Sequence, residues 1–307
     1  MNHLNTDLVL SCDQAEVVLA DWLGATVRCT GVERLHGGMI NSVLRLSFDR
    51  APHTAVIKLS SEGKSFAGEA RALRYLHARG FPCPEVYLER EDAELIPYAF
   101  LLLETLPGRS LAHGYLPEPD QDRVERELAE VLVALHQHKR GTFGGIGGEG
   151  EERWLDVFMP RLHRVRAEPE VQQRLPSDVL RDVDHAIEAA EALLQDQGQP
   201  TLIHGDIWAA NVIVHKVNGH WHLSGLVDPG AQYADVEMEL AYLRVFNTAG
   251  AAFFDVYTRH HPLRPGYELR WLVYWLRTYL VHVWLFGDQH YRDMTALVAG
   301  EIVSRTP

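Results

Sequence analysis

The sequence predicts an α+β fold in two lobes. A small antiparallel β-sheet with one helix is expected over residues 1–106, and a larger, mostly helical lobe carrying one hairpin over 107–307. Three observations predict it. Up to about residue 106, short apolar runs rich in β-branched residues are separated by turn signals, with one helical stretch among them. From Pro117 onward the apolar positions recur at helical spacing. The exception is "VNGHWHLSGLVD", where Asn218-Gly219 separates two apolar runs as a two-residue hairpin turn does.

Taken in order, "QAEVVLADWLG" reads as a short amphipathic helix. "CTGVERLHGGMINSVLRLSFDR" reads as two strands joined by a tight loop around Gly37-Gly38, and "HTAVIKLS" as a β-branched strand with Lys58 near its end. In "KSFAGEARALRYLHARG" the residues Phe66, Ala70, Leu73 and Leu76 form one stripe; Glu69 falls in the first turn and Gly80 is a stop. "PCPEVYLERED" and "YAFLLLETLPG" supply two more strands, and Leu106 to Gly108 form a connector. "EPDQDRVERELAEVLVALHQHK" is a long helix with Val124, Leu128, Val131 and Leu135 facing a core. A glycine-rich acidic loop, "GTFGGIGGEGEE", and a helix over "SDVLRDVDHAIEAAEALLQDQ" precede the hairpin, and the chain from "VEMELAYLRVF" onward reads as helices.

The composition, 46% hydrophobic and 23% charged over 307 residues, is that of an ordinary globular protein. A formal charge of −13, from 29 basic and 42 acidic residues, speaks against nucleic acid or an anionic membrane surface as a partner. Cys12, Cys29 and Cys83 show no paired spacing, which points away from a disulfide framework and towards a cytoplasmic location. "MNHLNTDLVLSCDQ" has no basic segment followed by an apolar one, so no signal peptide is expected. "LRWLVYWLRTYLVHVWLFG" is interrupted by Arg270, Arg277 and His282, and reads as a buried helix rather than a membrane span.

The chemistry concentrates in "LIHGDIWAANVIV". A carboxylate and an amide five positions apart inside an apolar run need a partner. The hairpin places Asp206 and Asn211 at its entry and Asp228 at its exit, an oxygen-only set that suits Mg²⁺ sharing its shell with phosphates. Lys58 on a strand, with Glu69 eleven residues on in a helix, suits a lysine held charged against phosphates. The Gly37-Gly38 loop lets backbone approach those phosphates closely. In this order the features match the parts that protein kinases and their relatives use for phosphoryl transfer.

Competing readings stand beside these. Trp208 fits either a buried structural ring or a substrate platform. His220 and His222, at i and i+2 on a strand, with Asp235 or Glu237, are a zinc alternative without a third ligand at suggestive spacing. The acids from Glu118 to Glu130 read as a solvated helix face, whereas Glu149, Glu151 and Glu152 flank the expected acceptor side and would favour an amine-bearing substrate.

"HGDIWAAN" resembles the catalytic loop of the aminoglycoside phosphotransferase and choline kinase superfamily, which has a bilobal protein-kinase-like fold. "LVDPGAQYADVEMELAYL" and "HHPLRPGYELRWLVYWLRTYLVHVWLFG" narrow the resemblance to the fructosamine (ketosamine) kinase branch. It runs from about Leu35 to the C-terminus, and its C-terminal third is the specific part. The resemblance implies that Asp206 is the catalytic base, that Asn211 and Asp228 hold Mg²⁺, and that Lys58 contacts the ATP phosphates with Glu69 as its ion-pair partner. It also implies a hinge from Glu104 to Leu106 whose backbone meets adenine, a loop braced by His204, and an acceptor pocket lined by Trp208.

Two departures accompany it. Met39 stands where many members carry a cysteine, which excludes a redox-linked dimer through that position. The branch's Asn-x-Ile-Gly-x-x-x-Gln element is replaced by "FGGIGGEGEERWLDVFMPRL", a segment that would face the acceptor. The expected activity is transfer of the γ-phosphoryl group of ATP, with Mg²⁺, to a hydroxyl of a sugar-amine adduct, free or on a glycated lysine, by a monomer or weak dimer. An aminoglycoside or other amino-sugar kinase is the alternative within this chemistry, and a non-catalytic nucleotide-binding regulator the alternative outside it.

Overall fold

A computed structural model of the chain describes residues 8–35, 41–60 and 65–306; Gly37, Gly38 and Met39 lie outside the described residues. In chain order the elements are α1 (Cys12–Leu23), β1 (Cys29–Arg34), β2 (Ser42–Phe48), β3 (Thr54–Ser60), α2 (Ala67–His77), β4 (Val86–Arg90), β5 (Ala99–Glu104) and β6 (Arg109–Ser110). Next come α3 (Glu118–Leu135), β7 (Gly144–Gly145), α4 (Trp154–Ala167), α5 (Pro169–Arg174), α6 (Ser177–Leu193) and β8 (Thr201–Ile203). The hairpin strands β9 (Val212–Val217) and β10 (His220–Leu226) follow. The chain finishes with β11 (Gln232–Ala234), α7 (Glu237–Val245), α8 (Ala251–His260), α9 (Tyr267–Leu285) and α10 (Gln289–Arg305). None of the helices among the described residues is long and apolar enough to cross a membrane.

These elements form two compact units. One comprises the residues up to Gln121 together with 209–230; the other comprises 122–208 and the chain from Ala231 onward. The hairpin therefore groups with the sheet rather than with the helices that flank it in sequence.

In the first unit β1 to β5 form an antiparallel sheet in the order β1-β2-β3-β5-β4. Strand alternation decides what each face does. Leu44, Leu46, Ala55, Ile57, Leu59, Phe100 and Leu102 pack with Ala15, Val18 and Leu19 of α1 in one apolar cluster. Lys58 pairs with Val43 on one side and Leu101 on the other, and points to the opposite face. Helix α1 is fixed at its start by a reciprocal capping box between Ser11 and Gln14.

The hairpin turn has Asn218 at φ 52° and Gly219 at φ 86°, the double positive φ that a two-residue turn matched to strand twist requires. Strand β6 adds to β9 as a third strand, pairing Arg109 with Val214 and Ser110 with Ile213. Just before it Gly108 has φ 104°, and a Cβ there would collide with the Val214 carbonyl, so only glycine fits this connector.

The second unit packs α4, α6, α9 and α10 around apolar side chains, with α7 against α9. A three-stranded sheet, β7-β11-β8, lies within it. On α3 the buried stripe runs through Val124, Leu128, Leu132 and Leu135; Val131, expected on it, is only half-buried. The cysteines, without pairing in their spacing, are all free, yet the Cys12 and Cys29 sulfurs come within 3.2 Å.

Candidate active site

In the first unit four of the expected residues meet. Lys58 is only 6% exposed, and its ammonium Nζ donates to Glu69 Oε1 at 2.6 Å and lies 3.1 Å from Asp228 Oδ1. Burial alone would lower the Lys58 pKa; the charges of Glu69 and Asp228 outweigh it and hold the ammonium above its ordinary range. The Glu69 carboxyl is pushed up by its own burial against the pull of Lys58. Glu69 reaches the lysine because it occupies the first turn of α2, whose apolar stripe of Ala70, Leu73 and Leu76 is buried.

Asn211 and Asp228 come together because the hairpin closes at its open end. The Val227 N–H donates to the Asn211 carbonyl at 3.0 Å, and the Leu226 N–H donates to Pro82 at 2.8 Å. Asp228 takes a left-handed φ of 61°, which Asp tolerates better than bulky residues, and its side chain is 51% exposed. Lys58, Asn211 and Asp228 line a cavity of about 370 Å³, with Val56, Leu103 and Leu106 as apolar walls. That size falls in the range of small-molecule sites. Leu106 thus lines the cavity, whereas the Glu104 carboxylate accepts from the Glu85 N–H at 3.2 Å.

Two oxygen side chains lining one cavity fit a hard cation that completes its shell from water and phosphates, as Mg²⁺ does. Among the described residues no group of three His, Cys, Asp or Glu gathers as a metal site, which leaves neither a protein cage nor the zinc alternative. His220 instead lies 3.3 Å from Asp120.

Asp206, His204 and Trp208 belong to the second unit. Strand β8 delivers them, turning at Gly205 with φ 87°. Glu239 of α7 accepts from the Gly205 N–H at 2.6 Å and the His204 N–H at 3.3 Å, and His204 Nδ1 accepts from the Asp206 N–H at 3.3 Å. His136 donates from Nε2 to Glu239 at 2.9 Å, because a carboxylate only accepts, and Tyr257 meets its Nδ1 at 2.7 Å. Burial opposes the charge on Glu239, but the His136 hydrogen bond and charge, with the Gly205 N–H, hold its carboxyl below the ordinary range.

Tyr242 donates to Asp206 Oδ1 at 2.6 Å. Burial, then the Asp206 charge, drives the tyrosine pKa up, so the phenol keeps its proton. Trp208 is half-buried, with its ring 6.3 Å from Phe246, which packs 4.8 Å from Tyr242 and 5.3 Å from His282.

The segment expected to face the acceptor splits in two. Trp154 and Phe158 are buried core, and Trp154 Nε1 donates to Tyr274 at 3.0 Å. The carboxylates of Glu149, Glu151 and Glu152 are exposed, while the backbone of Glu151 closes the loop onto Phe143. Glu239 and Tyr242 were missed in the sequence. Their signal is an acid three residues before a tyrosine on the apolar face of "VEMELAYL".

A sheet lysine paired with a helix glutamate, beside an Asn and Asp at a hairpin's open end, defines the class as a phosphotransferase of kinase-like fold. The chain belongs to the phosphotransferase enzyme family that includes aminoglycoside phosphotransferases, whose profile matches residues 31–271. It is 25% identical over 289 residues to a protein of Staphylococcus aureus named "probable ketoamine kinase", covering 90% of this chain and 94% of that one. The fold matches the crystal structure of a candidate fructosamine-3-kinase from Haemophilus somnus, with TM-score 0.74, 20% identity, and 94% and 96% of the two chains covered. It also matches aminoglycoside phosphotransferase APH(4)-Ia solved with ADP and hygromycin B, with TM-score 0.68, 21% identity, and 95% and 98% covered.

Proposed function

We propose that the protein is an ATP- and Mg²⁺-dependent kinase that phosphorylates a hydroxyl of a sugar-amine adduct of the ketosamine type. The observation that carries this reading is the Lys58–Glu69–Asp228 ion cluster, whose Lys58 and Asp228 line the cavity with Asn211. The relative named for ketoamine kinase activity supports the acceptor class.

In this reading Lys58, kept charged by its two carboxylates, takes the α- and β-phosphates, and the backbone from Glu104 to Leu106 meets adenine. Asn211 and Asp228 hold Mg²⁺, which supplies charge neutralisation at the phosphates. Asp206 orients the acceptor hydroxyl and takes its proton; Tyr242 fixes the carboxylate through Oδ1. Glu239 and His204 hold the loop that presents Asp206. Trp208, with Phe246 behind it, offers a ring face to the sugar.

The test is ADP release with Mg-ATP against fructosamines, ribulosamines and aminoglycosides, with Asp206→Asn as the blank. Turnover on ketosamines is expected. Turnover confined to aminoglycosides, or none on the whole panel, overturns the reading.

A further inference from the structure

Helices α4 and α9 carry two arginines that the proposed catalytic roles leave unused. Arg277 makes no hydrogen bond or ion pair among the described residues, and its Nε is buried. Arg161 donates through Nη1 to the neutral amide oxygen of Gln232 at 2.7 Å and has no carboxylate partner among the described residues. The two guanidinium groups are close enough to repel each other, and Arg277 lies close enough to Tyr242, the residue bonded to Asp206, for the two to interact electrostatically.

A buried cation normally has a counter-charge, because removing it from water is costly. Arg270, the buried arginine of α9, shows the usual arrangement: it meets Glu237 through Nε at 2.6 Å and Nη2 at 2.9 Å. Arg277 has no such partner, and burial, then the charge of Arg161, pushes its pKa down to about 10. Arg161 is likewise lowered, by burial and then by Arg164. A pair of this kind becomes favourable when an anion arrives, and a planar guanidinium matches the two oxygens of a carboxylate.

We propose that Arg277, assisted by Arg161, is an anion subsite of the acceptor pocket, and that the preferred acceptor is the adduct of a sugar with an amino acid whose carboxylate it binds. The inference rests on the ketosamine reading above and adds the class of amine. It also reverses the sign of charge expected on the acceptor side: the acids at Glu149, Glu151 and Glu152 are exposed, and the half-buried charge that interacts with Tyr242, the partner of Asp206, is the Arg277 guanidinium.

Two acceptors that differ by one carboxylate test it: the 1-deoxyfructosyl adducts of glycine and of methylamine. The quantity read is the ratio of their kcat/KM values, glycine adduct over methylamine adduct. For the wild type a ratio of about 10–100 is expected, the range for hydrogen bonds to a charged group. Arg277→Met should bring the ratio near one and Arg277→Lys should restore part of it. The Arg277→Met Tm should hold or rise, since no ion pair is broken. A wild-type ratio near one, or an Arg277→Met variant with lowered Tm and an unchanged ratio, overturns the subsite while leaving the ketosamine reading intact. Turnover of neither adduct by an enzyme that still binds Mg-ATP overturns the ketosamine reading, and the subsite falls with it.

Discussion

At Lys58 one atom carries two tasks that a paired substitution separates. Its ammonium satisfies Glu69 and Asp228 in a nearly dry position, and in the proposed function it also meets phosphate. Lys58→Met leaves a buried carboxylate at Glu69 without its cation, and breaking such a pair costs about 3–5 kcal/mol. ATP affinity should fall about 10- to 100-fold with it, read by calorimetry. Adding Glu69→Leu should recover much of the stability, since apolar replacement of a whole buried pair is often neutral, but none of the affinity. Recovery of both would show that Lys58 acts only in packing. Asp206→Asn should instead lower kcat about 100- to 10,000-fold while ATP affinity stays level, the signature of a lost general base. These two residues were legible from the sequence because a lysine closing an apolar strand and an Asp inside an apolar run break the local pattern. Arg277 broke the pattern of its helix equally, yet its lack of a partner is a fact of three dimensions.

On the scale of elements, the loop that carries Asp206 is held by α7 rather than by its own sequence. Glu239 gathers the His204 and Gly205 amides and the His136 ring, so two separate stretches of chain converge on a carboxylate supplied by a third. Its folded pKa lies below the ordinary 4.5, which fixes the sign of the pH dependence. The stability it contributes is present above pH 4.5 and is lost as pH falls through 4.5 towards the folded value. Glu239→Gln should therefore be about 3–5 kcal/mol less stable at pH 7, with the deficit shrinking in urea titrations taken below pH 4.5. A deficit constant with pH would place its contribution in packing.

The same scale shows what the sequence could carry. The hairpin was legible because Asn218-Gly219 names its turn, and α2 and α6 because their stripes are long. Strands β6 and β7, two residues each, are too short to show a period and exist only through their partners β9 and β11. Assignment of the hairpin to the sheet unit depends on contacts such as Leu226 to Pro82, which no local pattern records.

For the molecule as a whole, the most specific stretch of sequence, "HHPLRPGYELRW", builds a latch in the second unit rather than a reacting centre. Arg264 clasps Asp235 through Nη2 at 2.7 and 2.9 Å and reaches Glu237 through Nε at 2.9 Å. Arg270 takes the other edge of Glu237, which is 1% exposed. Asp235 and Glu237 bracket the turn between β11 and α7, so the latch ties the start of the helix bearing Glu239 and Tyr242 to α9. Burial lowers the Arg264 pKa, but Asp235 and Glu237 raise it by more, so both arginines stay charged; Arg270 Nη1 also lies 3.5 Å from the exposed Asp196, which makes five charges in the latch. Removing one member strands the others. Glu237→Ala should cost about 3–5 kcal/mol in urea unfolding. Because the pairs are buried, 1 M NaCl should change that cost little, whereas an exposed pair such as Arg126–Asp122 is screened. A cost below 1 kcal/mol, or one that disappears in salt, would show that the latch is solvated and that the helical unit is held by its apolar core alone.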